Sequence, residues 1–183
     1  MTDSLKYSLG ALTLLLGLYL FNQKTQKSHT ISGSAIFSGE RSHIHRVLIS
    51  EGEKSLELVR SDTTWKITQA DSLLIKENQI DKLFDRLLAV KQEMLISRKE
   101  NKWEKFGVDD SLGRHLQVFD DKDQELIHFI FGNSGQDYQH NYIRDVNSPE
   151  VYRTNDNVYF LLNSNTTYWG KSPPKPKEKD TNL

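Results

Sequence analysis

The chain has 183 residues, 24 lysines and arginines against 25 acidic residues, a formal net charge of -1 and no cysteine. The two signs are interspersed, which argues against nucleic acid as a partner, because that recognition needs a basic face. The absence of cysteine excludes a disulfide framework and an acylated-cysteine anchor, and the length leaves room for one ordinary domain with its own core.

The first element is apolar. Leu9 to Phe21 reads LGALTLLLGLYLF without a charge, and Leu5 and Tyr7 extend the run back past Lys6. As a helix, Leu5 to Phe21 would reach about 25 Å, the short end of what crosses a bilayer. Tyr7, Tyr19 and Phe21 mark its ends, while Lys6, Lys24 and Lys27 flank it as charges that extend into water. No small-x-small cleavage signal follows within reach. The expectation is a retained single-pass helix over residues 1–22, in the cytoplasmic membrane, with the following domain on the extracytoplasmic side. Residues 23–40 are polar and rich in serine and glycine, which suits a stalk. Residues 41–170 form a single domain, and 171–183, with Ser172-Pro173-Pro174-Lys175-Pro176-Lys177, read as a disordered tail.

Within the domain, His45 to Ile49 is strand-like and Glu51 to Lys54 is a turn. Leu56 and Leu58, then Trp65 and Ile67, alternate with polar neighbours, so the start reads as a three-stranded meander. Ile80, Leu83, Phe84, Leu87 and Leu88 fall on one stripe of a helix, with Asn78 and Asp81 at capping-box spacing. Lys102 to Phe106 is a helical turn that stops at Gly107, which suits a left-handed cap. Strand candidates follow at Leu116 to Phe119, Leu126 to Phe131, Asn141 to Arg144, Val151 to Arg153 and Val158 to Leu162. The second of these is apolar on both faces and is expected to be the most buried. The fold class predicted is α+β, a mainly antiparallel sheet with one principal amphipathic helix packed on it, preceded by the transmembrane helix.

The order of hairpin strands ending in Trp65-Lys66-Ile67, an amphipathic helix, Phe106-Gly107-Val108-Asp109, a strand closing on Gly132, then Tyr142-Ile143-Arg144 and Val151-Tyr152 resembles the bacterial domain-of-unknown-function 4340 family. The likeness runs from about Ile44 to Trp169. It implies a membrane-anchored protein in the company of gliding-type ABC transport systems. It implies no chemistry.

No residue cluster meets the requirements of catalysis or metal binding. His43 and His45 would share a strand face, but no third ligand accompanies them, whereas catalytic zinc takes three. Asp120, Asp121, Asp123 and Glu125 lack the EF-hand glycine and distal glutamate, so they read as a solvated hairpin turn. Gly132-Asn133-Ser134-Gly135 lacks the lysine and helix of a phosphate loop. Ser134 has no nucleophile elbow, although His128, His140 and Asp137 could approach it in space. Asn165-Thr166-Thr167 matches a glycosylation acceptor, a pattern frequent by chance. Five of seven tyrosines, Tyr138, Tyr142, Tyr152, Tyr159 and Tyr168, lie in the last third beside Arg144 and Arg153. Tyr142 and Arg144 project from one face of their strand and are the candidate partner-binding pair.

The expected function is therefore a membrane-tethered, non-catalytic accessory domain that binds another envelope protein, with no cofactor and no metal. The alternative is a small-ligand-binding or hydrolytic extracytoplasmic domain whose site is assembled from distant residues. A concave pocket with converging polar groups near Ser134, His128 and His140 favours the alternative, and a convex tyrosine and arginine patch the first reading.

Overall fold

A computed structural model describes residues 12–17, 33–134 and 137–174, with backbone alone at Ser134. The chain divides into two units, one up to Ser32 and one from Gly33 onward. Of the apolar run, only residues 12–17 are described. They are helical, and Leu12, Leu14, Leu15 and Leu16 are exposed. Among the described residues no helix is long and apolar enough to cross a membrane, which overturns the expected transmembrane helix. The rest of that run, the segment 18–32 and the end of the tail lie outside the described residues.

The second unit is built on one antiparallel sheet of eight strands in the order β3-β2-β1-β6-β7-β8-β9-β5. The opening meander is β1 (Arg46–Glu51), β2 (Lys54–Ser61) and β3 (Thr64–Ile67). Its register pairs Val47 with Leu58 and Leu58 with Ile67. A second run of neighbours is β6 (Arg114–Phe119), β7 (Glu125–Ser134), β8 (Asn141–Asp145) and β9 (Val151–Thr154), and β1 joins the two by pairing with β6. The far edge is β5 (Gln92–Ser97), which pairs with β9 across two register shifts. Ala35 bridges Lys91, and Ser34 accepts from the Gln92 amide, so the described body begins within the segment read as a stalk. A separate two-stranded ribbon joins β4 (Leu74–Ile75) to β10 (Gly170–Lys171).

Strand alternation gives this sheet two different faces. Val47, Ile49, Leu56, Leu58, Ile67, Leu116, Val118, Phe129 and Phe131 all join the main core. The stripe Ile80, Leu83, Leu87 and Leu88 joins the same core, and Phe84 packs at its margin, with its ring 5.8 Å from that of Trp65. The stripe was legible; the single principal helix was not. The segment is a six-residue α-helix, α1 (Glu77–Lys82), which continues as a π-helical turn over Leu83–Leu87. Leu88 donates its amide to the Leu83 carbonyl five residues back, and the wider turn keeps Leu83, Leu87 and Leu88 all buried. The expected capping box is also absent. Lys76 is the N-cap, without a side-chain cap, and its amide instead donates to the Trp169 carbonyl. The other helices are short as well, α2 (Trp103–Phe106) and α3 (Thr166–Trp169) among them. The fold is therefore an extended antiparallel sheet with small helices rather than an α+β pair of sheet and principal helix.

On the opposite face of β7, β8 and β9 a second, small core forms from Val108, Ile130 and Val151, with Trp103, Phe106, Tyr142 and Val146 packed on it. Two glycines hold α2 down over these strands. Gly107 ends α2 at φ 63°, the left-handed cap its sequence position suggested. Gly132 lies so close under the helix that an added Cβ would stand 1.9 Å from the Phe106 carbonyl oxygen.

Two strand assignments differ from the sequence reading. Val158 to Leu162 is a 3-10 turn over Tyr159–Leu161, because the Asn141 Oδ1 accepts from the Val158 and Tyr159 amides and bends the chain there. The strand β5, reading QEMLIS, has no clean period, since its register shifts break the alternation.

Candidate functional site

Tyr142 and Arg144 stand on the same face of β8, where Tyr142 pairs with Arg153 and Arg144 with Val151 of β9. Their surroundings separate them. Arg144 is 1% exposed and its guanidinium lies 3.7 Å over the Trp103 ring. Its Nε donates to the Val108 carbonyl at 3.0 Å, its Nη1 to the Val146 carbonyl at 3.2 Å, and its Nη2 pairs with Asp110. Each of its three nitrogens has a partner inside the domain and the side chain is buried, so Arg144 fastens the 103–110 segment to the sheet and offers no surface to a partner. That corrects its expected role as a contact residue.

Tyr142 is half-buried, with its ring 4.8 Å from that of Phe106. These two rings line a cleft of about 470 Å³, the rest of whose wall is Ile96 of β5, Lys105 of α2, Asp137, His140 and Arg153 of β9. Arg153 is braced by Glu93, whose Oε2 accepts from Nη2 at 2.7 Å and from Nε at 3.1 Å. His140 places Nδ1 2.8 Å from the Thr154 carbonyl, which can only accept, so that nitrogen carries the proton. Its Nε2 then faces the Asp137 carboxylate at 3.3 Å. Lys105 has no ion pair among the described residues and lies 5.6 Å from the Phe106 ring centre. With Arg153 offset by Glu93, the cleft also presents the Lys105 ammonium and the Asp137 carboxylate. Sequence reasoning found Tyr142 here but missed Lys105, Phe106 and Arg153 as its companions. Their signal, Tyr142 and Arg153 at opposed strand positions, becomes visible only once β8 and β9 are in register.

The other nominated residues are placed as follows. His128 lies on β7 six residues before Ser134, which puts them about 20 Å apart along an extended strand. It therefore does not join Ser134, His140 and Asp137. It meets His115 instead, with His115 Nδ1 and His128 Nε2 3.0 Å apart. Burial lowers the pKa of His128 below its usual value, against the opposing pull of Glu125. His43 and His45 share a pocket of about 300 Å³ with Asp120 and Asp121. There Asp120 is committed to its turn, with Oδ1 accepting from the amides of Lys122 and Gln124. Asp123 pairs with Arg46. Among the described residues no group of three or more metal-type side chains could hold an ion. Beside Arg144, the Asp109 Oδ1 accepts from the Ser111 and Leu112 amides and the Ser111 hydroxyl. Burial works to raise the Asp109 pKa, yet these hydrogen bonds outweigh it and hold the carboxyl below its ordinary value.

No curated protein and no solved structure is significantly similar to the chain. The family model described as "Domain of unknown function (DUF4340)" matches residues 65–173, from β3 through β10, and so includes both the cleft and the Arg144 fastening. Over more than half of its length, and over every element that builds the cleft, this chain belongs to the DUF4340 family.

Proposed function

We propose that the chain is a non-catalytic accessory domain of the bacterial envelope, outside the cytoplasm, that works by binding another protein at the Tyr142 cleft. One observation carries the reading. The cleft opens where the sheet ends, with Ile96 of the edge strand β5 in its wall and Met94 of the same strand 47% exposed beside it. Aromatic rings with an arginine beside them, next to an edge strand, are the materials of protein recognition. The setting of an ABC transport system rests on the family resemblance alone.

The test is co-purification of Tyr142→Ala and of Lys105→Glu with the partner from detergent-solubilised envelopes. Truncating an aromatic anchor at a hot spot costs about 2 kcal/mol, roughly thirtyfold in Kd. Retained association by both folded variants would remove the cleft as the contact surface.

The concavity of the site favours a second reading, a small ligand held by Lys105, His140 and Arg153 over the two rings. A hydrolytic version of it would need Ser134. Loss of function in Ser134→Ala with unchanged folding would point to that chemistry, and unchanged function would leave binding as the role.

A further inference from the structure

The outer face of the sheet carries a pair of histidines that the binding reading does not use. On β6 and β7, His115 Nδ1 and His128 Nε2 lie 3.0 Å apart, an N–H···N hydrogen bond. Its direction is set from the His115 side. His115 Nε2 lies 3.1 Å from the Asp110 carbonyl oxygen, which only accepts, so Nε2 carries the proton and Nδ1 is the acceptor. His128 Nε2 is therefore the donor. The two bonds run in one sense, from β7 through β6 to the turn at Asp110, and tie that turn to the sheet.

This relay has room for one extra proton and no more. In the neutral pair the vacant nitrogen is His128 Nδ1, and a proton added there leaves both hydrogen bonds in place. The charge then faces the Glu125 carboxylate at 3.6 Å, itself held by Gln117 Nε2 at 2.8 Å, with Asp145 adding to the attraction and Arg144 opposing it. Burial outweighs that attraction and keeps the His128 pKa below its usual value, so the ring is uncharged at neutral pH. A second proton has only His115 Nδ1 to go to, the acceptor of the bond. Adding it sets two N–H groups and two positive rings against each other at hydrogen-bond distance, and the contact must open.

The turn at Asp110 is joined to the cleft. Asp110 pairs through its carboxylate with Arg144, and the Val108 carbonyl accepts from the same guanidinium. Directly before them stands α2, which carries Lys105 and Phe106 of the cleft wall.

We propose that the His115–His128 relay is an acid-operated latch on the 107–113 turn: the pair takes one proton with its hydrogen bond intact, and a second proton opens the bond and loosens the turn behind the cleft. Any effect on binding rests on the cleft reading above, whereas the latch itself does not.

The test is a titration of the full chain from about pH 8 to about pH 4, a range that spans the ordinary histidine pKa. Nitrogen-15 NMR follows the two rings, and hydrogen exchange follows the amides of residues 110–113. At the alkaline end both rings should be protonated at Nε2. The pair should then titrate in two steps more than about one pH unit apart, and amide protection at 110–113 should fall roughly fivefold or more with the second step only. His128→Gln keeps a side-chain donor for His115 but carries no charge, so in that variant the acid loss of protection should vanish. The double variant H43A/H45A should behave as wild type. Independent titration of the two rings, protection lost with the first proton, or an unchanged acid response in His128→Gln overturns the latch. None of these readouts involves a partner, so such a result leaves the cleft reading standing, and failure of the cleft variants to lose association leaves the latch standing.

Discussion

Replacing Arg144 by alanine perturbs the domain at one buried point, and the size of the effect can be worked from its contacts. The substitution removes a guanidinium stacked 3.7 Å over Trp103 and strands the carbonyls of Val108 and Val146. A buried acceptor left without its donor costs about 1–3 kcal/mol. The lost Asp110 pair adds little, because the Asp110 side chain is 71% exposed and rehydrates. The two stranded carbonyls together come to about 2–6 kcal/mol. For a domain of this size that lowers Tm by about 10 °C. Arg144→Lys keeps the charge but not the planar fork, so it should fall between alanine and wild type. Urea and thermal unfolding of the three proteins, followed by far- and near-ultraviolet circular dichroism, measure this directly. An alanine variant with a midpoint within about 2 °C of wild type would refute the assignment of Arg144 as the fastening of the 103–110 segment.

Gly132→Ala should push α2 off β7, because its Cβ would stand 1.9 Å from the Phe106 carbonyl; loss of protease resistance around Trp103 before global unfolding reads it out. Leu87→Asp should unfold the domain by stranding a carboxylate at a fully buried position, whereas exposed Lys82→Ala should be nearly silent, and comparable midpoints for the two would disprove the packing of the stripe. Asp109 has a folded pKa below the ordinary carboxylate value, so its contribution is complete above that value and is lost as pH falls through the lower folded one. The stability difference between wild type and Asp109→Asn should therefore be constant at neutral pH and shrink as pH falls below about 4; a difference that instead grows as the solution is acidified would contradict the hydrogen-bonded carboxylate.

What the sequence showed, and what it hid, follows from the range of the forces involved. The meander β1 to β3 and the strands β6 to β9 have local turns and alternating side chains, so their period was visible. The helical stripe was visible too, but its division into α and π turns depends on the core it packs against. β5 was hidden because its register shifts erase alternation, and its pairing partner β9 lies some fifty residues further along the chain. The false strand at Val158 was set by a side chain from another strand, Asn141, which no local pattern reveals. Tyr142 and Arg144 were rightly placed on one face, yet which of them is a surface residue was decided by Trp103 and Asp110, more than thirty residues earlier.

The strand order carries a consequence for how the chain is made. β1 to β3 can pair as they are synthesised, and β6 to β9 can extend that sheet one hairpin at a time. β5 leaves the ribosome before all of the second group, yet its neighbour in the strand order is the last of them, β9. For the time it takes to translate from Ser97 to Thr154, its Met94, Leu95 and Ile96 have no strand to join. The same holds for β4, which waits for Gly170 and Lys171. In this interval, rather than in the finished fold, the nascent chain is most open to wrong pairing.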